Sequence, residues 1–318
     1  MVEGLKIKQN LREGQGPLLV LVGPTAVGKT TLSLQLAARF KGEIISADSR
    51  LFYRGMDIGT AKPTAVEQAI APHHLIDICD PDETLSLGAY QQMAYETIDG
   101  VLTRGHLPIL VGGTGQYVMA VVQGWGIPEV PPQPALREAL AALGGAELAR
   151  WLAVLDPVAA ERLDPRNVRR VIRALEVVLV AGRPISQLQK KSAPPYDICL
   201  VGLHREREVL YGRIDTRVDQ MMAAGLLDEV IRLRAAGYGC DLPAMSGLGY
   251  RQLWQYLDGE LTLAEAVERI KFETHRFVRH QANWFQRQDA AITWFDMEEL
   301  GVESAVIDFV RERLEIGD

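Results

Sequence analysis

The run Leu18-Leu19-Val20-Leu21-Val22-Gly23-Pro24-Thr25-Ala26-Val27-Gly28-Lys29-Thr30 joins five apolar residues to a glycine-bounded turn. A short continuous apolar run ending in glycine reads as a buried parallel strand. The turn fits G-x4-G-K-[ST], and Lys29 to Phe40 follow with apolar residues at helical spacing (Leu32, Leu36, Ala37, Phe40). Strand, glycine turn and helix in that order are the setting a phosphate loop requires. Its glycines let successive N–H groups converge on phosphate oxygens, the helix N-terminus adds its dipole, Lys29 adds a full charge, and Thr30 can hold Mg²⁺. The motif reads polyphosphate and leaves open what receives it.

Outward from this loop, Glu43-Ile44-Ile45-Ser46-Ala47 and Pro108-Ile109-Leu110-Val111 repeat the buried-strand pattern, and Asp197-Ile198-Cys199-Leu200-Val201-Gly202 reads as the last strand of this type. Strands alternating with helices predict an α/β fold with a mostly parallel sheet. Pro128, Pro131, Pro132 and Pro134 mark a linker into a helical insertion, residues 128–195, that Pro194-Pro195 closes. The core is then 17–127 and 196–318, nearly all helical after Val201, with a Thr262–Glu265 capping box opening one late helix. Residues 1–16 are expected to be a disordered extension.

The composition narrows the function. In 318 residues, 34 Lys and Arg face 41 Asp and Glu, a net charge of −7, which excludes a wholly basic nucleic-acid binder but permits a local basic face. Cys79, Cys199 and Cys240 form no CxxC pair, against a disulfide framework or zinc knuckle. No apolar run approaches the ~18 residues that span a bilayer, and the polar start lacks a signal-peptide core. A cytoplasmic protein with no membrane partner is expected, with monomer as the default state.

Four further features carry chemistry. Asp48 ends the second strand at the ligand-binding edge, next to the phosphate loop, where it can serve a metal or act as a base; as an Asp-Ser pair it suits a helix cap equally. Gly112-Gly113-Thr114-Gly115 follows a strand at the same edge without the third glycine of a dinucleotide fingerprint. Arg213 and Arg217 lie one helical turn apart and suit an anion clamp or a solvated face. Two stretches, Arg166 to Arg173 and Arg269 to Arg287, combine arginines with (in the second) Trp284 and Phe285; together they point to RNA backbone neutralisation and base stacking, singly to ordinary surface. His73-His74 lack a third spaced ligand and read as structural rather than metal-binding.

Gly23–Thr30, the sixteen-residue block Asp48-Ser-Arg-Leu-Phe-Tyr-Arg-Gly-Met-Asp-Ile-Gly-Thr-Ala-Lys-Pro63, Gly112–Tyr117 and Gly249-Tyr-Arg-Gln252 together resemble the tRNA dimethylallyltransferases, also called tRNA isopentenyltransferases, across about residues 17–290. The resemblance implies a P-loop α/β core with a helical insertion. It implies transfer of the dimethylallyl group of dimethylallyl diphosphate to N6 of adenosine 37 in tRNAs reading codons that begin with U, giving i6A-tRNA and diphosphate. Gly23, Pro24, Thr25, Ala26, Val27, Gly28, Lys29, Thr30 and Arg217 would hold the donor, with Mg²⁺ at Thr30. Asp48 would be the catalytic base, with Lys29 and Thr114 beside it. Asp48, Ser49, Arg50, Leu51, Thr114, Arg137, Arg169, Arg170, Val171, Ile172, Arg173 and Met245 to Arg251 (with Gly249, Tyr250 and Arg251) would contact the tRNA anticodon stem-loop, whose target base must flip out. Arg50-Leu51-Phe52 departs from members with Gln here, and the zinc-finger extension of eukaryotic members is not matched, implying a bacterial-type enzyme. A small-molecule kinase, an adenylate isopentenyltransferase and a non-catalytic RNA-binding module are the competing readings.

Overall fold

The structure is a computed structural model that describes residues 16–316. The expected extension therefore lies outside the described residues, apart from Gly16, which opens the first strand. The chain forms two compact units, one running to Met119 and resuming at Pro195, the other Ala120–Pro194.

The first unit begins with β1 (Gly16–Val22), α1 (Lys29–Phe40), β2 (Gly42–Ser46), α2 (Ala65–Ile70), β3 (His73–His74), α3 (Leu87–Thr103), β4 (Leu107–Gly112) and α4 (Gly115–Val122). Leu18 to Val22 are all fully buried, as expected for a parallel strand covered on both faces. The second unit is helical: α5 (Pro134–Ala141), α6 (Gly145–Leu155), α7 (Pro157–Arg162), α8 (Val168–Ala181) and α9 (Ile185–Leu188). Pro134 opens α5 instead of belonging to the linker, because its missing N–H costs nothing in a first turn. Leu140, Leu148, Leu152, Val171, Leu175 and Ile185 form a separate core in this unit.

The first unit resumes with β5 (Tyr196–His204), α10 (Arg207–Ala223), α11 (Leu226–Ala235), α12 (Tyr250–Leu257), α13 (Leu263–Gln281), β6 (Thr293–Asp296) and α14 (Val302–Arg313). The six strands are ordered β3-β2-β4-β1-β5-β6 and every pairing is parallel. The expected α/β class holds, with two corrections. β5 is not the last parallel strand, since β6 extends the sheet with Trp294 opposite Gly202. Nor does β2 adjoin β1: β4 separates them, so Gly113–Gly115 stands between the phosphate loop and Asp48. α13 opens with the expected capping box, Glu265 N–H donating to Thr262 Oγ1 at 3.3 Å and Thr262 N–H to Glu265 Oε2 at 2.8 Å.

Away from the ligand edge, Glu43 on β2 is buried and accepts hydrogen bonds from Arg104 at 2.9 and 2.7 Å and pairs with His106 and His74. The Arg104 guanidinium, prevailing over burial and aided by the two imidazoles, holds this carboxyl down at about 2. His74 is thereby tied to a carboxylate, and His73 Nδ1 lies 2.9 Å from the Ala71 carbonyl.

Candidate active site

All the sheet's C-terminal strand ends meet at one edge, and the phosphate loop lies there between β1 and α1. Gly28 has φ 120°, a conformation that side-chain-bearing residues rarely adopt. The loop's carbonyls are occupied one by one. Lys29 Nζ donates to Gly23 O at 2.8 Å and Pro24 O at 2.9 Å. Arg213 Nε donates to Ala26 O at 2.8 Å and Arg205 Nε to Val27 O at 3.0 Å. Gln281 at the end of α13 accepts from Thr25 N–H at 2.9 Å and donates to Gly113 O at 3.0 Å, joining the loop to the turn after β4. α1, preceded by Gly28, has no side-chain cap at this ligand edge. Its first N–H groups and dipole end are thus left to an anion.

Burial pulls Lys29 down to about 8, with Arg217 adding to the fall and Asp48 opposing it. Arg217 is likewise depressed by burial and supported by Asp48. Two cations desolvated beside one carboxylate form a site that gains by receiving negative charge.

Two cavities flank this centre. The larger, about 1230 Å³, opens over the phosphate loop and is lined by Ala26, Thr30, Asp57, Lys62, Arg213 and Arg217. The smaller, about 600 Å³, contains Asp48, Thr114, Gly249, Arg276, Phe277 and His280, with Ile214, Val218 and Met221 as an apolar wall. Arg217 and Met221 line both. Thr25, Ser49, Arg50 and Arg251 also line the smaller cavity.

Asp48 resolves toward neither simple alternative. Its Oδ1 accepts from Arg50 N–H at 3.0 Å, so it caps a turn rather than a helix, while the residue faces the smaller cavity. Arg50, which also lines that cavity, donates to Pro243 O at 3.0 Å, Ala244 O at 3.3 Å and Ser246 Oγ at 3.3 Å. It joins the Asp48 turn to the segment leading into α12. Thr114 receives Tyr117 N–H at 3.0 Å on its carbonyl and lines the same space.

Two of the expected RNA contacts, Val171 and Ile172, need correction. Val171 and Ile172 are 1% and 8% exposed in the core of the helical unit, so their side chains are not presented to a partner. Tyr250 is 1% exposed, with its hydroxyl donating to Glu229 at 2.6 Å, and it forms part of the smaller cavity's wall. Arg137 donates to Glu176 at 2.8 Å through Nε and Nη2, and Arg173 pairs with the same fully buried carboxylate. Burial would raise Glu176, yet Arg137, Gln133 N–H and Arg173 hold it down at about 2, while the two arginine side chains stay 42% and 33% exposed. Arg169 and Arg170 remain exposed. In the later basic stretch, Arg269 pairs with Glu273 and Lys271 with Asp219, while Arg276 and His280 face the smaller cavity.

Sequence reasoning missed Gln281, Arg205 and Glu229. Gln281 lay inside the second basic stretch without distinguishing itself from its neighbours, and Arg205 simply follows a strand. Among the described residues no group of three or more His, Cys, Asp or Glu is placed to hold a metal, and no helix is long and apolar enough to cross a membrane.

A model of the IPP transferase family matches residues 51–288. A tRNA dimethylallyltransferase of a Roseiflexus species is 53% identical over 296 residues, covering 92% of this chain and 97% of that protein. The crystal structure of the full-length tRNA isopentenylpyrophosphate transferase from Bacillus halodurans matches with TM-score 0.72 at 42% identity, over 95% of this chain and 97% of that one. A eukaryotic dimethylallyltransferase, studied crystallographically as it acts on tRNA, matches with TM-score 0.82 at 25% identity, over 94% of this chain and 80% of that one. With its phosphate loop, its Asp48 cavity and these matches in agreement, the chain belongs to the IPP transferase family.

Proposed function

We propose that this enzyme transfers the dimethylallyl group of dimethylallyl diphosphate to N6 of adenosine 37 in tRNA. The observation that carries the reading is the position of Arg217, lining both the cleft over the phosphate loop and the cavity that holds Asp48. A diphosphate anchored at the loop and an adenine beside Asp48 then meet at one junction.

The donor's diphosphate sits on the α1 N-terminus with Lys29 and Arg217 as its counter-charges, and Arg205 and Arg213 keep the loop in shape. The residues fit a Mg²⁺ site of the kind in which one hydroxyl, here Thr30, joins phosphate oxygens and water; such a site needs no three-carboxylate cage. Mg²⁺ there would neutralise charge on the diphosphate. The adenine N6 lone pair is delocalised into the ring, so N6 attacks the donor C1 only as its proton is taken. Asp48 accepts that proton, the N6–C1 bond forms, the C1–O bond breaks, and its electron pair leaves with the diphosphate. Lys29 and Arg217 stabilise that growing charge in a site already short of solvent. The target base reaches Asp48 by leaving the anticodon-loop stack. Arg276, Phe277 and His280 offer it charge and stacking surface, and Arg169 and Arg170 bind phosphates. Action on tRNA supports a cytoplasmic reading. A kinase or a free-nucleotide prenyltransferase leaves the exposed arginines without work, and the relatives' names favour neither.

The test is a prenyl-transfer assay with Mg²⁺, dimethylallyl diphosphate and unmodified tRNA, read as digested nucleosides by mass spectrometry, with AMP and ATP as alternative acceptors. Prenylated adenosine from tRNA alone is the expected result; product from free nucleotide alone would reject the RNA reading. Asp48→Asn should lower turnover by about 10²- to 10⁴-fold, the ordinary reach of a general base, while tRNA binding persists. Equal loss of binding would remove Asp48 from the chemistry.

A further inference from the structure

Glu229, in the first turn of α11, is 1% exposed, yet among the described residues it forms no ion pair. Its carboxylate is satisfied by four donors instead. Oε2 accepts from Asp57 N–H at 3.0 Å and Ile58 N–H at 2.8 Å; Oε1 accepts from Gly59 N–H at 3.2 Å and the Tyr250 hydroxyl at 2.6 Å. Three successive backbone N–H groups converging on one anion make a nest, and here the protein's own carboxylate fills it. Burial, with the adjoining Glu229 charge, pushes the Tyr250 phenol well above its ordinary value, so it stays a donor. The packing is close enough that a Cβ on Gly59 would lie 2.6 Å from the Tyr250 ring.

The joined parts are walls of the two cavities. Asp57 and Ile58 line the larger cleft, while Gly59, Gly249 and Tyr250 line the smaller one. A buried anion is an expensive way to brace a loop unless its placement matters, because every donor must be supplied in register.

We infer that Glu229 is a positioning residue for the acceptor cavity, its carboxylate fixing the Asp57–Gly59 turn against Tyr250 so that the wall they form in the cavity shared with Asp48 is rigid when RNA enters. This rests on the tRNA prenyl transfer proposed above. Glu229→Gln keeps the size but turns an NH₂ toward N–H donors, so the turn must move. Tyr250→Phe removes one of the four bonds and leaves the turn nested.

The experiment measures, for the full chain and each variant, steady-state constants for tRNA, the Kd for tRNA by filter binding, the Kd for inorganic pyrophosphate by calorimetry, and the melting temperature. Glu229→Gln should weaken tRNA, in Kd and kcat/KM, by at least about tenfold, the scale of lost bonds to a buried charge. Pyrophosphate, held by the phosphate loop, should stay within about twofold. Tyr250→Phe should move the same constants in the same direction by about three- to fivefold, for one neutral bond lost, and carries the test if Glu229→Gln does not fold. A variant whose melting point falls while its tRNA constants hold would make Glu229 purely structural and overturn the inference. Parallel weakening of pyrophosphate would overturn it too. If the wild-type chain prenylates no tRNA, the reaction reading fails separately, and Glu229→Gln must still weaken tRNA binding for the positioning role to stand.

Discussion

Raising the pH from 7 to 9 should weaken dimethylallyl diphosphate binding to the free enzyme by about tenfold, with Lys29 as the cause. Burial lowers this ammonium from 10.5 to about 8, which Arg217 reinforces and Asp48 only partly offsets. One enzyme molecule in about eleven then keeps the Lys29 charge at pH 9, against nearly all at pH 7. The donor cannot produce the effect, because a phosphate's last proton leaves near pH ~6. Bound diphosphate reverses the burial penalty, so at pH 9 binding should take up close to one proton. Calorimetry in two buffers of different ionisation enthalpy measures this directly. Lys29→Met should bind more weakly at pH 7 and show no pH dependence between 7 and 9. The stability effect has the opposite sign to a salt-bridged lysine. Between pH 8 and 10.5 the unfolded chain holds the proton more tightly, so wild-type stability rises with pH through that window. The fall from 10.5 to about 8 corresponds to about 3 kcal/mol of cost, present in full below pH 8. Lys29→Met should therefore melt no lower than wild type at pH 7. A donor Kd that stays flat from pH 7 to 9, with no proton taken up, would refute the assignment of this charge to diphosphate binding.

Arg169→Ala with Arg170→Ala should weaken tRNA binding and flatten the slope of log K against log salt by about 1.4–1.8, the counterions two phosphate contacts release. Arg137→Ala should instead lower the melting temperature, because it strips a partner from buried Glu176; an unchanged salt slope in the double variant would take α8 out of the RNA interface. Glu43→Gln should cost about 3 kcal/mol at pH 7, since the folded carboxyl titrates at about 2 against 4.5 when unfolded. That stabilisation is complete above pH 4.5 and is lost as pH falls toward 2, so wild type and variant should converge in acid unfolding; a constant gap down to pH 2 would show that the ion cluster is not its source.

What was legible in the sequence was whatever is local in the chain. α1 begins at Lys29 and ends at Phe40 as its spacing predicts, because the glycine turn and the apolar stripe both act within a few residues. β6 was not legible: Thr293-Trp-Phe-Asp is four residues long, partly exposed on a sheet edge, and lacks the continuous apolar run that betrays β1. The strand order was invisible for a related reason. Nothing in β2 or β4 alone says which lies beside β1, so the placement of Asp48 next to the phosphate loop could be right about the edge and wrong about the neighbour. Gln281 and Glu229 act on backbone 256 and about 170 residues away, and no pattern within either segment carries that information.

The arginines of α8 show where a family resemblance and a periodicity must be combined. A resemblance transfers a span, Arg169 to Arg173, as if all five residues shared one surface. Five consecutive helical residues sweep more than a full turn, so a span of that length must put some side chains inward. The apolar spacing of α8 in the sequence, Val168, Ile172, Leu175, Val178 and Leu179, finds Ile172, Leu175 and Val178, which are buried, but it misses buried Val171 and includes exposed Val168 and Leu179. The structure leaves Arg169 and Arg170 outward. It does not release Arg173, because its commitment depends on Glu176 three residues on and on the Val130 carbonyl that its Nη2 meets at 2.9 Å. Pairing within the unit and partial exposure coexist at Arg173, whose side chain stays 33% exposed, so neither the transferred span nor the periodicity alone decides its reach to a phosphate.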